Sequence, residues 1–317
     1  EQEMTKTAIL FPGESSHSVG MMSAIAADFS IVYDTFEEAS KVLGYDLWAV
    51  THNGPEAELN RAEIKKPAML VSGIATWRAW QQQGGARPDF FAGHGIGEYT
   101  ALVATGVIDF KDAVSIVAQR GRFMQQASPP GGGAMAAVWG LDDIVMREIC
   151  DQVENGEIVS CANYNAPGQV VISGNHEAVE LAGRMTLQAG AMKIQVLPVS
   201  IPSHCLLMKP AAIKLQDLLL KVHFSDSSIP VIQNADVRAY HDAEQIREAL
   251  ARQLWQPVRW TETILSLVES DVGIFIECGP GRVLSDINKV ITPGSDIFAL
   301  TAKDAINEAL RMEDNDE

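Results

Sequence analysis

Positive charge is scarce in this chain of 317 residues: 24 lysines and arginines face 41 aspartates and glutamates, a formal net charge of −17 at pH 7. A polyanion or an anionic bilayer would be repelled unless the few cations cluster, so neither nucleic acid nor a membrane is an expected partner. Long apolar runs are missing as well. No stretch reaches bilayer-spanning length, and the opening "EQEMTKTAILFPG" lacks the charged-then-apolar build of a secretory signal. Glu1-Gln2-Glu3, ahead of Met4, are set aside from the fold reading. Cysteine is limited to Cys150, Cys161, Cys205 and Cys278, scattered and without a C-x-x-C pair. That usage suits a reducing cytoplasm and argues against a disulfide framework or a zinc site. Internal repeats and low-complexity linkers are also lacking. With 47% hydrophobic residues, the chain can bury one large core, or a core plus that of an insert. The acidic tail "RMEDNDE" reads as a frayed, solvated end.

Strand and helix patterns alternate through the first part. "TAILFPG" is a short apolar strand ending in a turn, and helical material runs on to "VLGYDLW". "KPAMLVSGIATWRAWQQQGG" repeats its apolar positions at helical spacing until Gly84-Gly85 stops it. A strand at Phe90–Ala92 follows, then a glycine-rich turn and a helix. "DFKDAVSIVAQRGRFMQQA" is a further helix with Asp109 or Asp112 favouring its N-terminus. This alternation predicts a mostly parallel sheet covered on both faces. After "SPPGGG" the order becomes β-α-β-β-α-β, through "AMAAVWG", "LDDIVMREICDQV", "EIVSCANYN", "GQVVISG", "NHEAVELAGRMTLQAG" and "MKIQVLPV", which is the ferredoxin-like unit. The α/β pattern resumes with "IPVIQNAD" and "GIFIECGPG", so the unit is an insert. The expected organisation is an α/β main domain of residues 4–129 and 198–310 with a ferredoxin-like insert at 130–197. Its cleft is expected between insert and main sheet, beyond the carboxyl end of the Phe90 strand.

"FFAGHGIGEYTALVATG" is the most informative stretch. A strand, a tight glycine turn and an immediate helix make the layout of a nucleophile elbow, where G-x-S-x-G lifts a serine out of the backbone. Here the frame is Gly93-His94-Gly95-Ile96-Gly97, and glycine occupies the serine position. The same turn does not pass as a dinucleotide loop, because the glycine spacing is wrong and no acidic ribose ligand follows. "IECGPGRVL" is read as a strand and a structural turn.

In order along the chain stand "FPG…GMM", "AGHGIGEYTALVATGVIDFKDAV", "QRGRFMQ", "GGGAMAAVWGL", "NAPGQVVISG", "LPVSIPSHCLLMKPA", "RQLWQPVRWTETI" and "IECGPGRVL". Together they resemble the malonyl-CoA:acyl carrier protein transacylases of fatty-acid and polyketide synthesis, over roughly residues 6 to 295. The resemblance implies an α/β-hydrolase-like main domain with the ferredoxin-like insert. It also implies a ping-pong acyl transfer from a coenzyme A thioester to the phosphopantetheine arm of an acyl carrier protein, with no bound cofactor. It makes Gly95 the nucleophile position, His204 the base, Gln253 the amide that holds the histidine region, and Ile96 the residue whose N–H joins the oxyanion hole. Arg120 becomes the partner of the malonyl carboxylate, a role suited to a guanidinium, which can bind a carboxylate through two parallel hydrogen bonds. A satisfied loop histidine, a surface arginine and a helix-face amide are the plain alternatives for His204, Arg120 and Gln253, and Arg122 is read as such a surface arginine.

Two loops depart from the family pattern. Gly95 cannot form an acyl-enzyme. The first loop reads Gly13-Glu14-Ser15-Ser16-His17 where the family has G-Q-G-S-Q, so Glu14 stands where an amide would help form the oxyanion hole, and a carboxylate there opposes developing negative charge. Ser15, Ser16, Ser203 and Cys205 are nucleophiles by type only, since the elbow is what projects a side chain at the histidine. A water activated by His204 in the space left by the missing hydroxymethyl is the easier substitute. His94 is read as structural. His17 and Glu14 offer either an acid–base pair or two solvated loop residues. Lys65, Lys66 and Arg61 are the densest basic cluster, and so the expected landing place for an acidic carrier protein.

Overall fold

The computed structural model of the protein describes residues 5–153 and 156–315; Glu1-Gln2-Glu3 lie outside them. A six-stranded sheet forms the larger body. Its strands are β1 (Lys6–Phe11), β2 (Phe90–Gly93), β7 (Val231–Gln233), β8 (Arg238–Ala239), β9 (Val272–Glu277) and β10 (Asp296–Ala299), in the spatial order β10-β9-β1-β2-β7-β8. All neighbours run parallel except β8, which pairs antiparallel to β7 at the edge. Side chains alternate across β1: Ile9 and Phe11 enter one core with Phe91, Trp77 and Ile274, while Ala8 and Leu10 enter another with Phe275, Trp260 and Ile264. Both faces are therefore covered by helices, which is what a parallel sheet requires.

The helix that the spacing of apolar positions predicts runs over Ala62–Gln82, and it is buried on every side from Ile64 to Trp77. Its two lysines, Lys65 and Lys66, are buried with the rest. Helix Phe110–Ala127 lies directly against it: a Cβ on Gly121 would stand 2.6 Å from the Ala62 carbonyl oxygen. Asp109 caps that second helix by accepting from the Lys111 N–H at 3.2 Å. The acidic tail differs from its sequence reading, because helix Lys303–Asn315 carries most of "RMEDNDE".

A four-stranded antiparallel sheet forms the smaller body, from β3 (Gly133–Trp139), β4 (Val159–Ala166), β5 (Gln169–Asn175) and β6 (Lys193–Val196), in the order β4-β5-β3-β6. Helices Asp143–Asp151 and His176–Gln188 pack on one face around Val138, Met146, Ile172 and Val179. This is the ferredoxin-like insert that the β-α-β-β-α-β order predicts. It is stitched to the larger body by the Tyr164 N–H donating to Val258 O at 2.9 Å and the Val258 N–H donating to Ala162 O at 2.8 Å. Among the described residues, no helix is long and apolar enough to cross a membrane.

Candidate active site

The site grows from the carboxyl ends of β1 and β2. Their parallel register sets Phe11 against Gly93, and the His94 N–H donates to Phe11 O at 3.0 Å, so the loop after β1 lies on the turn after β2. The turn is tight enough to require glycine on both sides. A Cβ on Gly93 would stand 1.9 Å from the Gly97 backbone, and one on Gly97 would stand 2.2 Å from Phe11 O. Gly95, between them, is at φ +58°, the left-handed region of a nucleophile elbow, but space beside it is open: a Cβ there would meet only His204 Nε2, at 3.9 Å.

Four side chains hold this turn. The Gly95 N–H donates to Asn234 Oδ1 at 2.8 Å, and Asn234 Nδ2 donates to Gly93 O at 2.6 Å. Glu98, fully buried, accepts from the Asn234 N–H at 2.5 Å, and burial pushes its carboxyl up to about 8. Gln253 Nε2 donates to Gly95 O at 2.7 Å, while Gln253 Oε1 accepts from Arg120 Nη2 at 3.0 Å. His94 makes its contact sideways, Nε2 to Asn165 Oδ1 at 2.7 Å on β4, and burial lowers its pKa. Asn234 was invisible to motif reading. Its signal was positional: it follows β7 at the carboxyl edge of the sheet, where ligand sites of open α/β folds gather.

His204 faces the elbow from the opposite wall. It sits at φ +61°, an uncommon conformation for a non-glycine residue, and its Nδ1–H donates to Gln253 O at 2.7 Å. That bond fixes the tautomer and leaves Nε2 free to accept a proton. Burial, with the Arg120 charge adding to it, lowers the imidazole to about 3, so it is neutral at any physiological pH. The Ile96 N–H, at the start of helix Gly97–Ala104, makes no hydrogen bond among the described residues, which leaves it available to an incoming oxygen.

Arg120 is 2% exposed and has no carboxylate partner among the described residues. Besides Gln253, it reaches only Met124 Sδ at 3.3 Å and the Tyr99 ring at 5.6 Å, and its Nε is unpaired. A buried guanidinium left in that state is costly until an anion pairs with it. Arg122, two residues on and so on the opposite face of the helix, is the surface residue the sequence suggests, half exposed and bound to Glu63 at 2.9 Å.

The first loop brings a correction. Lys65 and Lys66 are not a docking patch: both are buried, Lys66 is hydrogen-bonded to Glu14, and Lys65 Nζ lies 4.0 Å from Glu14 Oε2. The third member of that cluster, Arg61, is exposed but already paired with Glu58 at 2.8 Å and with Glu63. Charges placed among "KKPAMLVSGIATW" were the available hint that these lysines face inward. Burial alone would raise the Glu14 carboxyl, yet Lys66 and Lys65 outweigh it and hold the group well below the usual carboxylate range. Burial lowers Lys66 to about 8, against the pull of Glu14. His17 does not pair with the Glu14 carboxylate; its Nδ1 binds the Glu14 carbonyl at 2.6 Å and its Nε2 binds Asn60 Oδ1 at 2.5 Å. Ser16 is buried with its hydroxyl unpaired, and the Cys205 thiol, pushed up by burial, donates to Pro202 O at 3.3 Å. The structure thus gathers Gly95, Ile96, Arg120, His204 and Gln253 in one place, with Glu14 beside them.

The acyl transferase domain family matches residues 9–292 of the chain. A malonyl CoA-acyl carrier protein transacylase of Salmonella typhimurium is 50% identical over 307 residues, 97% of this chain and 99% of that protein. The chain belongs to the malonyl-CoA:acyl carrier protein transacylase family. A Bacillus subtilis member is 40% identical over 316 residues, covering 99% of each chain. Among solved structures, the transacylase from Coxiella burnetii superposes with a TM-score of 0.95 at 41% identity, over 97% of this chain and 98% of that one. A malonyl-transacylase solved in complex with its type II polyketide acyl-carrier protein gives 0.95 at 48%, over 97% and 100%. The α/β fold and the membership in fatty-acid and polyketide acyl transfer are thereby shown for this transacylase relative.

Proposed function

We propose that the cleft binds a malonyl-type coenzyme A thioester and does not form an acyl-enzyme at residue 95. The observation that carries this reading is the buried, carboxylate-free Arg120 converging with a neutral His204 on a glycine elbow. The free carboxylate of the acyl group would pair with Arg120, and its thioester carbonyl would rest over Gly95 with its oxygen towards the Ile96 N–H. In an acyl transfer, a hydroxyl would attack that carbonyl while His204 Nε2 took its proton and returned it to the leaving thiolate. With no hydroxyl at Gly95, the first half of that exchange has no attacking atom. No cofactor is called for; the thioester is the ligand.

A second reading is hydrolysis. It is favoured by the open space at 3.9 Å from an unprotonated Nε2, where a water could sit and attack the thioester, releasing malonate and coenzyme A. An acyl carrier protein is the proposed macromolecular partner, supported by the relative solved with its own carrier protein. With Lys65 and Lys66 withdrawn, its landing place is assigned to the helix Lys209–Leu220, which begins five residues after His204 and exposes Lys209, Ile213, Lys214 and Leu220, followed by Lys221. Residues 4–129 with 198–310 are proposed as the body that carries the elbow, and 130–197 as the unit closing over it. A cytoplasmic setting is supported by the four cysteines, all free and buried.

Mixing the protein with malonyl-CoA and following intact protein mass, intact thioester and free malonate distinguishes the readings. Retained, unmodified thioester supports binding, and malonate release with free thiol supports hydrolysis. A stable malonyl adduct on the protein would overturn the proposal.

A further inference from the structure

The inner wall of the cleft holds more positive charge than one acyl carboxylate can neutralise. Arg120, Lys65 and Lys66 are all buried, and Glu14 is the single carboxylate within 4 Å of any of them among the described residues. The outer ends of the same two helices are balanced separately, Arg61 and Arg122 against Glu58 and Glu63. Of the remaining groups that face the site, Glu98 is kept neutral near pH 7 by its burial, and His94 and His204 are held in the neutral form. Three cations against one anion leave a surplus of two charges away from water. Buried charge of this kind is costly until a counter-charge arrives. A malonyl thioester supplies one negative charge and leaves the second unanswered.

We propose that the cleft also takes a free short dicarboxylate, the malonate dianion, with one carboxylate on Arg120 and the other on the Lys65–Lys66 side of Glu14. The first half of this placement rests on the reading of Arg120 given above; the second half is independent of it. Gly95 provides the room, since the wall beside it is bare out to His204 Nε2 at 3.9 Å. Lys66, Lys65 and Arg120 all bear on the one carboxylate of Glu14, so the three cations line the same pocket around it. Both ligands would place a carboxylate on Arg120, so malonate and malonyl-CoA would exclude one another. A full negative charge is welcome there because Glu14 is already spent on the lysines.

The test uses the whole chain at pH 7 and constant ionic strength, titrated in a calorimeter with malonate, acetate, sulfate and malonyl-CoA. Malonate is expected to bind at least about tenfold more tightly than acetate, the effect of one added charge-assisted hydrogen-bonded contact. It should also displace malonyl-CoA. Lys65→Met should reduce malonate affinity by about tenfold and malonyl-CoA affinity by less, because Lys65 answers the charge that the thioester lacks. Lys65 is chosen over Lys66 so that Glu14 keeps its partner, and a thermal-shift comparison of malonate with acetate on the unmutated protein needs no variant to fold. If malonyl-CoA binds and malonate binds no better than acetate, the inference fails while the thioester reading stands. Sulfate matching malonate would overturn the dicarboxylate assignment. Failure of malonate and malonyl-CoA alike would overturn both.

Discussion

Restoring a hydroxyl at the elbow with Gly95→Ser tests most of the site at once. A Cβ at residue 95 stands 3.9 Å from His204 Nε2 and touches nothing else, so no neighbour must move. A rotamer pointing at the imidazole brings Oγ to about 2.7–3.1 Å, hydrogen-bonding distance. The cost is conformational: a side chain at φ +58° adds about 1–2 kcal/mol of backbone strain, a fall in Tm of a few degrees. The hydrogen bonds that Gly95 donates to Asn234 and accepts from Gln253 already hold the turn in that conformation, which keeps the strain from unfolding it. The variant should therefore become malonylated by malonyl-CoA. It should be slow, by roughly the 10²–10³-fold that a missing oxyanion donor costs, because the Ile96 N–H stands alone. Its pH profile carries a second signature. A histidine must be neutral to act as base, and His204 is lowered to about 3, so acylation should not rise with a midpoint near 6.5 but stay level from pH 5 to 8. Intact-mass kinetics on parent and variant decide the matter. Labelling of the parent at the same rate, or a folded variant that binds malonyl-CoA and never labels, would refute this placement of His204 opposite residue 95.

Arg120→Ala should erase the preference for malonyl-CoA over acetyl-CoA, a loss of about 1.5–3 kcal/mol measurable by calorimetry; Arg120→Lys should recover only part of it, since an ammonium cannot form the two parallel bonds. Glu14→Gln would leave Lys66 buried without its anion, and is expected to destabilise the protein by about 1–3 kcal/mol in urea titrations rather than to improve the site. Because Glu14 is held below its ordinary value of 4.5, its contribution is complete above that pH and disappears on acidification, so parent and Glu14→Gln should converge in stability as the pH falls. Asn234→Ala should release both Gly93 and Gly95 and lower acylation in the Gly95→Ser background without changing the affinity of Arg120 for carboxylate, seen as a kcat effect at constant KM. Charge reversal at Lys209 and Lys214 should weaken carrier-protein capture in surface plasmon resonance, whereas an unchanged affinity would move the docking face elsewhere.

Strand and helix order, the insert and the elbow were legible because each has its own period or punctuation: "TAILFPG" and "FFAG" are continuous apolar strands, and the glycines at 93 and 97 mark forced close approach. The helical spacing of apolar positions in the long helix Ala62–Gln82 marks it as a helix, but that spacing does not reveal that the polar positions between them are buried too. Its lysines are polar residues in a core segment, and what they meet is decided by Glu14, 52 residues earlier in the chain. Arg120, His204 and Gln253 could be named from motifs, but the motifs do not contain the bond that joins them, a single amide accepting from the guanidinium and donating to the elbow. Asn234 carries no motif at all. Its role exists only because β7 happens to lie beside β2.

The link between His94 and Asn165 has a bearing on how such a chain can be taken apart. One residue from the elbow, an imidazole is fastened to a strand of the inserted sheet, and Val258 exchanges two backbone bonds with the same strand. These contacts join segments some 70 to 95 residues apart, so each must offset the entropy of closing a long loop. The insert cannot then be treated as a cassette to be deleted or exchanged with a relative's. Cutting it out would expose the Trp260 face and leave His94 without its acceptor, and the elbow would lose its register before any chemistry was tested. Recombination with relatives should keep β2, β4 and the Val258 segment from one parent, because in assembly these three behave as a single strand-crossed joint.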